Sequence, residues 1–126
     1  MTIKVLSKSD IEDLHRELIN VYGGIHGVRD EALLDSAINT PFQSYDGIDF
    51  YPSVEEKAAR LGYGLVANHP FHDGNKRIGA HAMLVFLALN DIIINCSSEE
   101  LSTVFLSIAS GNAAEADLLA WIHAHK

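Results

Sequence analysis

Apolar residues recur at helical spacing through most of the chain. Near the N-terminus, Ser9 and Glu12 form a capping-box pattern, and Gly23-Gly24 ends the element that follows. The apolar positions of this first predicted helix are Ile11, Leu14, Leu18, Val21 and Tyr22. A shorter helix is predicted after Asp30, and its apolar face consists of Leu33, Leu34, Ala37 and Ile38.

The middle of the chain predicts two longer helices that are separated by a short loop. Ser53 and Glu56 form a second capping box, and the helix that they open ends before Pro70. Its inward positions are Ala58, Leu61, Leu65 and Val66. The next helix is predicted from about Asn75 to Leu89, with an apolar stripe of Ile78, Ala82, Val85, Phe86 and Leu89. Because few polar residues follow Arg77 in this helix, we expect it to be the buried central helix.

Two more helices are predicted near the C-terminus, after an extended connector at Ile92-Ile93-Ile94. Ser97 and Glu100 form a third capping box, and Gly111 ends the helix that follows. Its apolar positions are Leu101, Val104, Phe105 and Ile108. The last helix is predicted from about Ala114 to His123. The whole pattern predicts an all-α fold in which amphipathic helices surround the central one.

The segment NTPFQSYDGIDFYP, residues 39–52, interrupts this helical pattern. Pro41, Gly47 and Pro52 break any helix, so a long loop or an irregular hairpin is predicted. The segment carries four aromatic residues, Phe42, Tyr45, Phe50 and Tyr51. Long structured loops in small domains often carry function, although simple packing explains these aromatics equally well.

Length, cysteine content and charge restrict the class of protein. At 126 residues, the chain is predicted to be a single domain over residues 1–126. A single cysteine, Cys96, excludes an intrachain disulfide, and the N-terminal MTIKVLSKSD lacks the apolar run of a secretory signal. We therefore expect a cytoplasmic protein with no membrane span. The net charge of -8, with 9 Lys and Arg residues, argues against direct nucleic-acid binding.

The run HPFHDGNKR, residues 69–77, combines the groups that bind and transfer a phosphate. It lies at the start of the predicted central helix, where free backbone N–H groups and the helix dipole stabilise an anion. Gly74 allows close approach of the backbone, and Lys76 and Arg77 add positive charge. His81 follows Arg77 by four residues, so it shares that helix face and is a further candidate for phosphate contact.

Two other members of the run suit the chemistry of the transfer itself. Histidine is the side chain that most often accepts a proton near neutral pH, so His69 is a candidate base, and Asp73 is a hard oxygen ligand for Mg²⁺. Taken singly, each residue has a simpler explanation: Asp73 and Asn75 are common helix caps, and Phe71 is an apolar anchor. We expect His72 to face solvent. Helix capping needs only one side chain, so the convergence of these groups favours a phosphate site.

Two other phosphate- or metal-binding motifs fit this run less well. A Walker A loop requires an upstream glycine and a Ser or Thr after the lysine, and Gly74-Asn75-Lys76-Arg77 has neither. A zinc-hydrolase site built from His69, His72, Asp73 and His81 would leave two cations beside the metal without a purpose. We therefore prefer a phosphate site to both alternatives.

The same run resembles the signature of the Fic/Doc family, H-x-F-x-(D/E)-G-N-G-R-x-x-R. It departs from that signature at Lys76, which replaces a glycine, and at His81, which replaces the final arginine. In both respects the sequence resembles the Doc (death on curing) toxin branch, whose members carry N-K-R and lack the final arginine. Tyr22-Gly23-Gly24 and the segment from Gly27 to Leu34 also resemble Doc-type sequences at similar spacing, so the resemblance covers roughly residues 3 to 110.

The resemblance implies a Fic-fold helical bundle with a buried central helix and a flap loop before the active-site motif. It implies ATP and Mg²⁺ as cofactors, His69 as the base and Asp73 as the metal ligand. The phosphates would be held by Gly74, Asn75, Lys76 and Arg77, with His81 as an additional candidate. The flap aromatics Phe42, Tyr45, Phe50 and Tyr51 would hold the protein target.

For the Doc branch, the resemblance implies a protein kinase that phosphorylates a threonine of elongation factor Tu and halts translation. The chain lacks the inhibitory motif (S/T)-x-x-x-E-(G/N) of many Fic proteins, since no glutamate precedes glycine or asparagine. Control by a separate antitoxin protein is therefore expected. Two alternatives stay open: a protein adenylyltransferase that tolerates Lys76, and a non-catalytic Fic-like interaction module.

Overall fold

The computed structural model describes residues 2–126 and contains six α-helices in that range. They are α1 (Lys8–Tyr22), α2 (Glu31–Asn39), α3 (Val54–Ala67), α4 (Asn75–Leu89), α5 (Ser98–Ala109) and α6 (Glu115–His125). A short 3-10 helix, Thr40–Phe42, and two short strands, β1 (Ser44–Tyr45) and β2 (Ile48–Asp49), connect α2 to α3. The predicted all-α fold is confirmed.

Helices α3 and α4 form the middle of the bundle and pack most closely against each other, and α3 also contacts α2, α5 and α6. Gly62 of α3 and Gly79 of α4 permit this close packing, because a Cβ atom on Gly79 would lie 2.9 Å from the carbonyl oxygen of Gly62. The core side of α4 is formed by Ile78, Ala82, Met83, Phe86 and Leu87. The predicted stripe was wrong at Val85 and Leu89, which are partly exposed because Met83 and Leu87 point to the core instead.

The helix caps agree with the sequence patterns except at the first helix. The boxes Ser53 with Glu56 and Ser97 with Glu100 both form. Helix α1 begins earlier than predicted, and its box consists of Ser7 and Asp10. Aspartate at the third helical position reaches back to the cap as glutamate does, so the pattern of Ser9 and Glu12 was misleading.

Helix α1 also buries a different face from the one predicted at its C-terminal end. Its buried residues are Ile11, His15, Leu18 and Ile19. Val21 and Tyr22 were predicted on the apolar face but are exposed, because the helix ends beside the motif loop and not over the core. The buried histidine and the exposed tyrosine both contact the candidate site described below.

The segment before α3 forms the irregular hairpin that its sequence predicts. Strands β1 and β2 are antiparallel, with Ser44 opposite Asp49 and Tyr45 opposite Ile48. Asp46 and Gly47 form the turn with φ of 52° and 76°, the left-handed conformation that a two-residue hairpin turn requires. We call residues 39–52 the flap.

The helices are short for a membrane span. The longest, α1 and α4, have 15 residues each, whereas about 20 apolar residues are needed to cross a bilayer. Within residues 2–126, no helix combines the length and the apolar character that crossing a membrane requires.

Candidate active site at the start of the central helix

The loop between α3 and α4, residues 68–74, carries the first part of the sequence motif. Pro70 cannot continue α3, and the chain turns at His69, whose φ of 49° is unusual for a residue with a side chain. The His69 N–H donates to the Val66 carbonyl at 3.2 Å. A left-handed residue of this kind persists only where its surroundings hold it in place.

Asn75 closes the loop from the first turn of α4. Its Oδ1 accepts the Phe71 N–H at 3.0 Å, and its Nδ2 donates to the Phe71 carbonyl at 3.0 Å and to Nδ1 of His69 at 3.2 Å. The Phe71 N–H can only donate, so it fixes the orientation of the amide. The neutral His69 ring therefore has its lone pair on Nδ1 and its proton on Nε2.

All three hydrogen bonds of the Asn75 side chain are made to residues of the loop, and the residue is only 7% exposed. Asn75 was predicted to bind phosphate. In the structure, the group of Asn75 that is placed for an anion is its backbone N–H at the helix start. The side chain instead sets the position of His69.

His15, a buried histidine of α1, packs against the loop and supports it. The rings of His15 and Phe71 stack with centroids 3.8 Å apart and planes 10° from parallel, and Phe71 is buried as predicted. Nε2 of His15 donates to the Asp73 carbonyl at 2.8 Å. Burial lowers the pKa of His15, and the hydrogen bond to Asp73 opposes that shift only in part. His15 was not among the site residues predicted from the sequence. Its place within the apolar stripe of α1 was the feature that could have indicated a buried polar role.

The Asp73 carboxylate lies at the surface against the segment that follows α1. Oδ1 accepts the Gly74 N–H at 2.9 Å, and Oδ2 accepts the Ile25 N–H at 3.2 Å. A Cβ atom on Gly24 would lie 2.7 Å from Oδ2, so a larger residue there would displace the carboxylate. Each oxygen keeps a second lone pair. One carboxylate of this kind suits Mg²⁺, which takes its other ligands from phosphates and water.

The start of α4 is open to an anion. Gly74 is the N-cap residue with φ of 74°, and no side chain of the described residues caps the helix there. The first N–H groups of α4 therefore lack intrahelical acceptors and lie at the positive end of the helix dipole. This arrangement confirms the predicted helix start and gives the motif a backbone site for phosphate oxygens.

A cavity of about 600 Å³ opens over this helix start, between α4 and α5. The motif residues that line it are His69, His72, Asp73, Gly74, Asn75, Lys76, Arg77 and His81. The opposite wall comes from α5 and includes Ser98, Leu101, Ser102 and Leu106, which sequence reasoning did not propose. The structure thus brings the proposed base, metal ligand and phosphate-binding residues to one cavity, and the exposed His72 joins them.

Two cations on the cavity wall are not paired with a carboxylate of the described residues. Within the described part of the chain, Lys76 and Arg77 have no carboxylate within ion-pair distance. The guanidinium carbon of Arg77 lies 4.1 Å from the ring centroid of Tyr22, so an exposed aromatic ring orients this cation. Burial and, secondarily, the charge of Arg77 lower the pKa of His81, which keeps His81 neutral at pH 7.

The zinc-hydrolase alternative lacks a ligand set. No group of three His, Cys, Asp or Glu side chains among residues 2–126 is placed to share a metal ion. A hydrolytic zinc site usually has three protein ligands. The donor set around Asp73 therefore fits a metal held mainly by phosphate oxygens better than a resident zinc.

The four flap aromatics have different surroundings. Tyr45 and Phe50 are 74% and 57% exposed, whereas Phe42 is half-buried with its ring edge on Phe86, at 5.8 Å between centroids. Tyr51 is also half-buried, and its carbonyl accepts a hydrogen bond from Lys57. None of the four lines the cavity. Of the predicted target-binding residues, Tyr45 and Phe50 are thus available to a partner, and Phe42 packs in the bundle.

Comparison with known proteins shows the family of the chain. The sequence model of the Fic/DOC family matches residues 5–87, which include α1, the flap, the motif and most of α4. The chain belongs to the Fic/DOC family. The resemblance that the motif indicated is confirmed.

Within the Fic/DOC family, the chain is similar to Toxin Doc of Mycolicibacterium smegmatis. The two are 40% identical over 83 residues, which cover 66% of this chain and 64% of that protein. The match therefore spans less than two thirds of the relative's length. Helices α5 and α6 lie beyond the residues that the Fic/DOC model matches, so one wall of the cavity lies outside the matched region.

Proposed function

We propose that this protein is a Doc-type toxin that transfers the γ-phosphoryl group of ATP to a hydroxyl group of a translation factor. The observation that carries the proposal is the cavity, which combines the uncapped start of α4, two unpaired cations, His69 and Asp73. Phosphoryl transfer depends mainly on positioning and on neutralising charge, and these groups supply both. As the partner of ATP we propose Mg²⁺ on Asp73, where it would neutralise phosphate charge.

In the proposed reaction, the target hydroxyl oxygen bonds to the γ-phosphorus atom. The bond from that phosphorus to the β–γ bridging oxygen breaks, and ADP leaves. The hydroxyl proton passes to His69. The only lone pair of the neutral ring lies on Nδ1 and accepts from Asn75, so His69 takes the proton after Nδ1 has released the Asn75 amide.

Lys76 supports phosphoryl transfer over transfer of AMP. In the glycine form of the motif, the small residue leaves space for the α-phosphate at the helix start. Lys76 places a long cationic side chain at the same point on the cavity wall. We infer that ATP binds with its γ-phosphate toward His69. Adenylyl transfer is the alternative that Lys76 disfavours.

The proposed target is a threonine of elongation factor Tu, as the Doc resemblance implies, and the proposed place of action is the cytoplasm. The exposed Tyr45 and Phe50 on the flap are the candidate contacts for the target. A Doc-type toxin also requires an antitoxin protein that inhibits it in trans, and the relative's name, Toxin Doc, supports this expectation.

Expression in bacteria tests the proposal. Induction of the wild-type chain should arrest growth, and His69→Ala and Asp73→Asn should each relieve the arrest. Intact-mass analysis of elongation factor Tu from arrested cells should show a covalent addition that both variants lack. Equal toxicity of all three chains would instead favour the non-catalytic interaction module, because binding alone needs neither side chain.

A further inference from the structure

Residues 27–30 run alongside the motif loop and are joined to it by backbone hydrogen bonds. The N–H groups of Arg29 and Asp30 both donate to the Pro70 carbonyl, at 2.7 and 3.1 Å. On the other side, the His72 N–H donates to the Gly27 carbonyl at 3.1 Å. Val28 and Phe71 form a β-bridge between the two segments. The segment therefore supports the motif loop along its length.

The side chain of Arg29 adds two contacts directly at the candidate base. Its Nε donates to the His69 carbonyl at 2.7 Å, and its Nη2 donates to the Asn68 carbonyl at 3.2 Å. Both carbonyls follow the last turn of α3, where unpaired acceptors and the negative end of the helix dipole favour a cation. The fork of donors on a guanidinium can serve two neighbouring carbonyls at once.

These contacts act on a residue whose backbone is strained. His69 has φ of 49°, a left-handed conformation that a residue with a side chain keeps only where its surroundings hold it. Asn75 holds the His69 ring, and Arg29 holds the carbonyl of the same residue. Arg29 is not part of the cavity wall, so it acts through His69 and not on a ligand.

We propose that Arg29 is a positioning residue that fixes the backbone of His69 and thereby aims its imidazole at the reacting hydroxyl. The proposal rests on the proposed role of His69 as the base. A displacement of about 1 Å at a reacting group can cost on the order of a hundredfold in rate. Loss of Arg29 should therefore lower kcat strongly while the phosphate-binding helix start is left intact.

The test compares Arg29→Met and Arg29→Lys with a control, Arg16→Met. Arg29 is exposed, so neither substitution opens a cavity in the core. Arg16 is an exposed arginine on α1 whose only ion pair is with Asp13 at 2.8 Å, among the described residues. Arg29→Met should reduce kcat for phosphorylation of elongation factor Tu by about tenfold or more, with the KM for ATP changed by less than about twofold.

Arg29→Lys should recover part of the lost rate, because an ammonium group still donates to one carbonyl. A readout that does not depend on activity is the set of backbone NMR chemical shifts of His69, which report its left-handed φ. These shifts should move in Arg29→Met, move less in Arg29→Lys and stay unchanged in Arg16→Met.

Unchanged His69 shifts in Arg29→Met would overturn the proposal, as would a rise in the KM for ATP with kcat preserved. If the wild-type protein transfers no phosphate, the proposed function fails while the NMR comparison still decides the role of Arg29. If Arg29→Met does not fold, the comparison of Arg29→Lys with wild type decides it by the same shifts.

Discussion

The Nδ2 atom of Asn75 donates to Nδ1 of His69 across 3.2 Å and so joins the first residue of α4 to the candidate base. The same amide makes two hydrogen bonds to the backbone of Phe71. Asn75 follows His69 by six residues, and its side chain closes a small ring of hydrogen bonds with Phe71 and His69. The motif loop and the helix start behave as one unit because of this amide.

Replacing Asn75 with alanine should destabilise the protein. The buried N–H of Phe71 loses its acceptor, and an unsatisfied group of this kind costs about 1–3 kcal/mol. Urea denaturation measures the change in the free energy of unfolding. Asn75→Asp is the matched variant: its carboxylate still accepts from the Phe71 N–H but cannot donate to the Phe71 carbonyl, so it should also be less stable than the wild type.

The same pair of variants tests the tautomer of His69. The wild-type amide donates to Nδ1, so ¹⁵N NMR should find the proton of the neutral ring on Nε2. In Asn75→Asp, an acceptor faces Nδ1, and the proton should move there. A wild-type ring protonated on Nδ1 would contradict the arrangement described here.

Gly24 and Gly23 offer a matched test of the Asp73 carboxylate. Both have positive φ, 121° and 86°, but an added Cβ meets Asp73 Oδ2 at 2.7 Å only from Gly24, whereas Gly23 has open space around it. Gly24→Ala should therefore weaken Mg²⁺-dependent activity, seen as a severalfold higher Mg²⁺ requirement. Gly23→Ala carries similar backbone strain and should leave that requirement unchanged. Equal effects would mean that backbone strain, and not displacement of Asp73, causes the loss.

The affinity for nucleotide should depend on pH through His81. The folded pKa of this group lies below 6.5, so the ring is neutral at pH 7 and gains its proton only as pH falls through the lowered pKa. A charged ring on the cavity wall attracts phosphate, so ADP should bind more tightly at pH 5.5 than at pH 7.5. Calorimetry measures the two dissociation constants. His69 and His72 line the same cavity, so the relevant result is the difference from His81→Gln, which should show a smaller pH effect.

Lys57 is predicted to hold the flap against α3. It is 4% exposed, and its ammonium group contacts Asp49 Oδ2 at 3.2 Å and the Tyr51 carbonyl. A buried ammonium needs such partners, and here the flap supplies both. Lys57→Met should free the flap and speed chymotrypsin cleavage after Tyr45 and Phe50 severalfold. Asp49→Asn removes the same ion pair by changing its exposed partner, and it should increase the cleavage rate by less. Unchanged cleavage in both variants would mean that other contacts hold the flap.

Much of the fold could be predicted from periodicity and caps. The bounds of α4 were predicted correctly because Gly74 precedes an apolar stretch that ends at Asn90-Asp91, and two of three capping boxes formed as their sequences indicate. The start of α1 was wrong because two overlapping Ser and acidic pairs compete, and sequence spacing alone does not choose between them. The choice depends on where the helix docks.

The contacts that support the site were harder to predict. His15 and Phe71 are far apart in the sequence and stack only after α1 packs beneath the loop. Arg29 and His69 likewise meet through the β-bridge between Val28 and Phe71. Local sequence patterns reveal the chemistry of the motif, since its groups are adjacent. They do not reveal the residues that hold it from other elements.

The most direct test of the central claim is a transfer assay with ATP labelled at either the γ- or the α-phosphate. Purified protein, Mg²⁺ and elongation factor Tu are incubated with each label, and His69→Ala is the control. Label should reach the target from the γ-position only, and none should be transferred with His69→Ala. Label from the α-position only would contradict the proposed phosphoryl transfer, because AMP transfer would show that Lys76 does not turn the γ-phosphate toward His69.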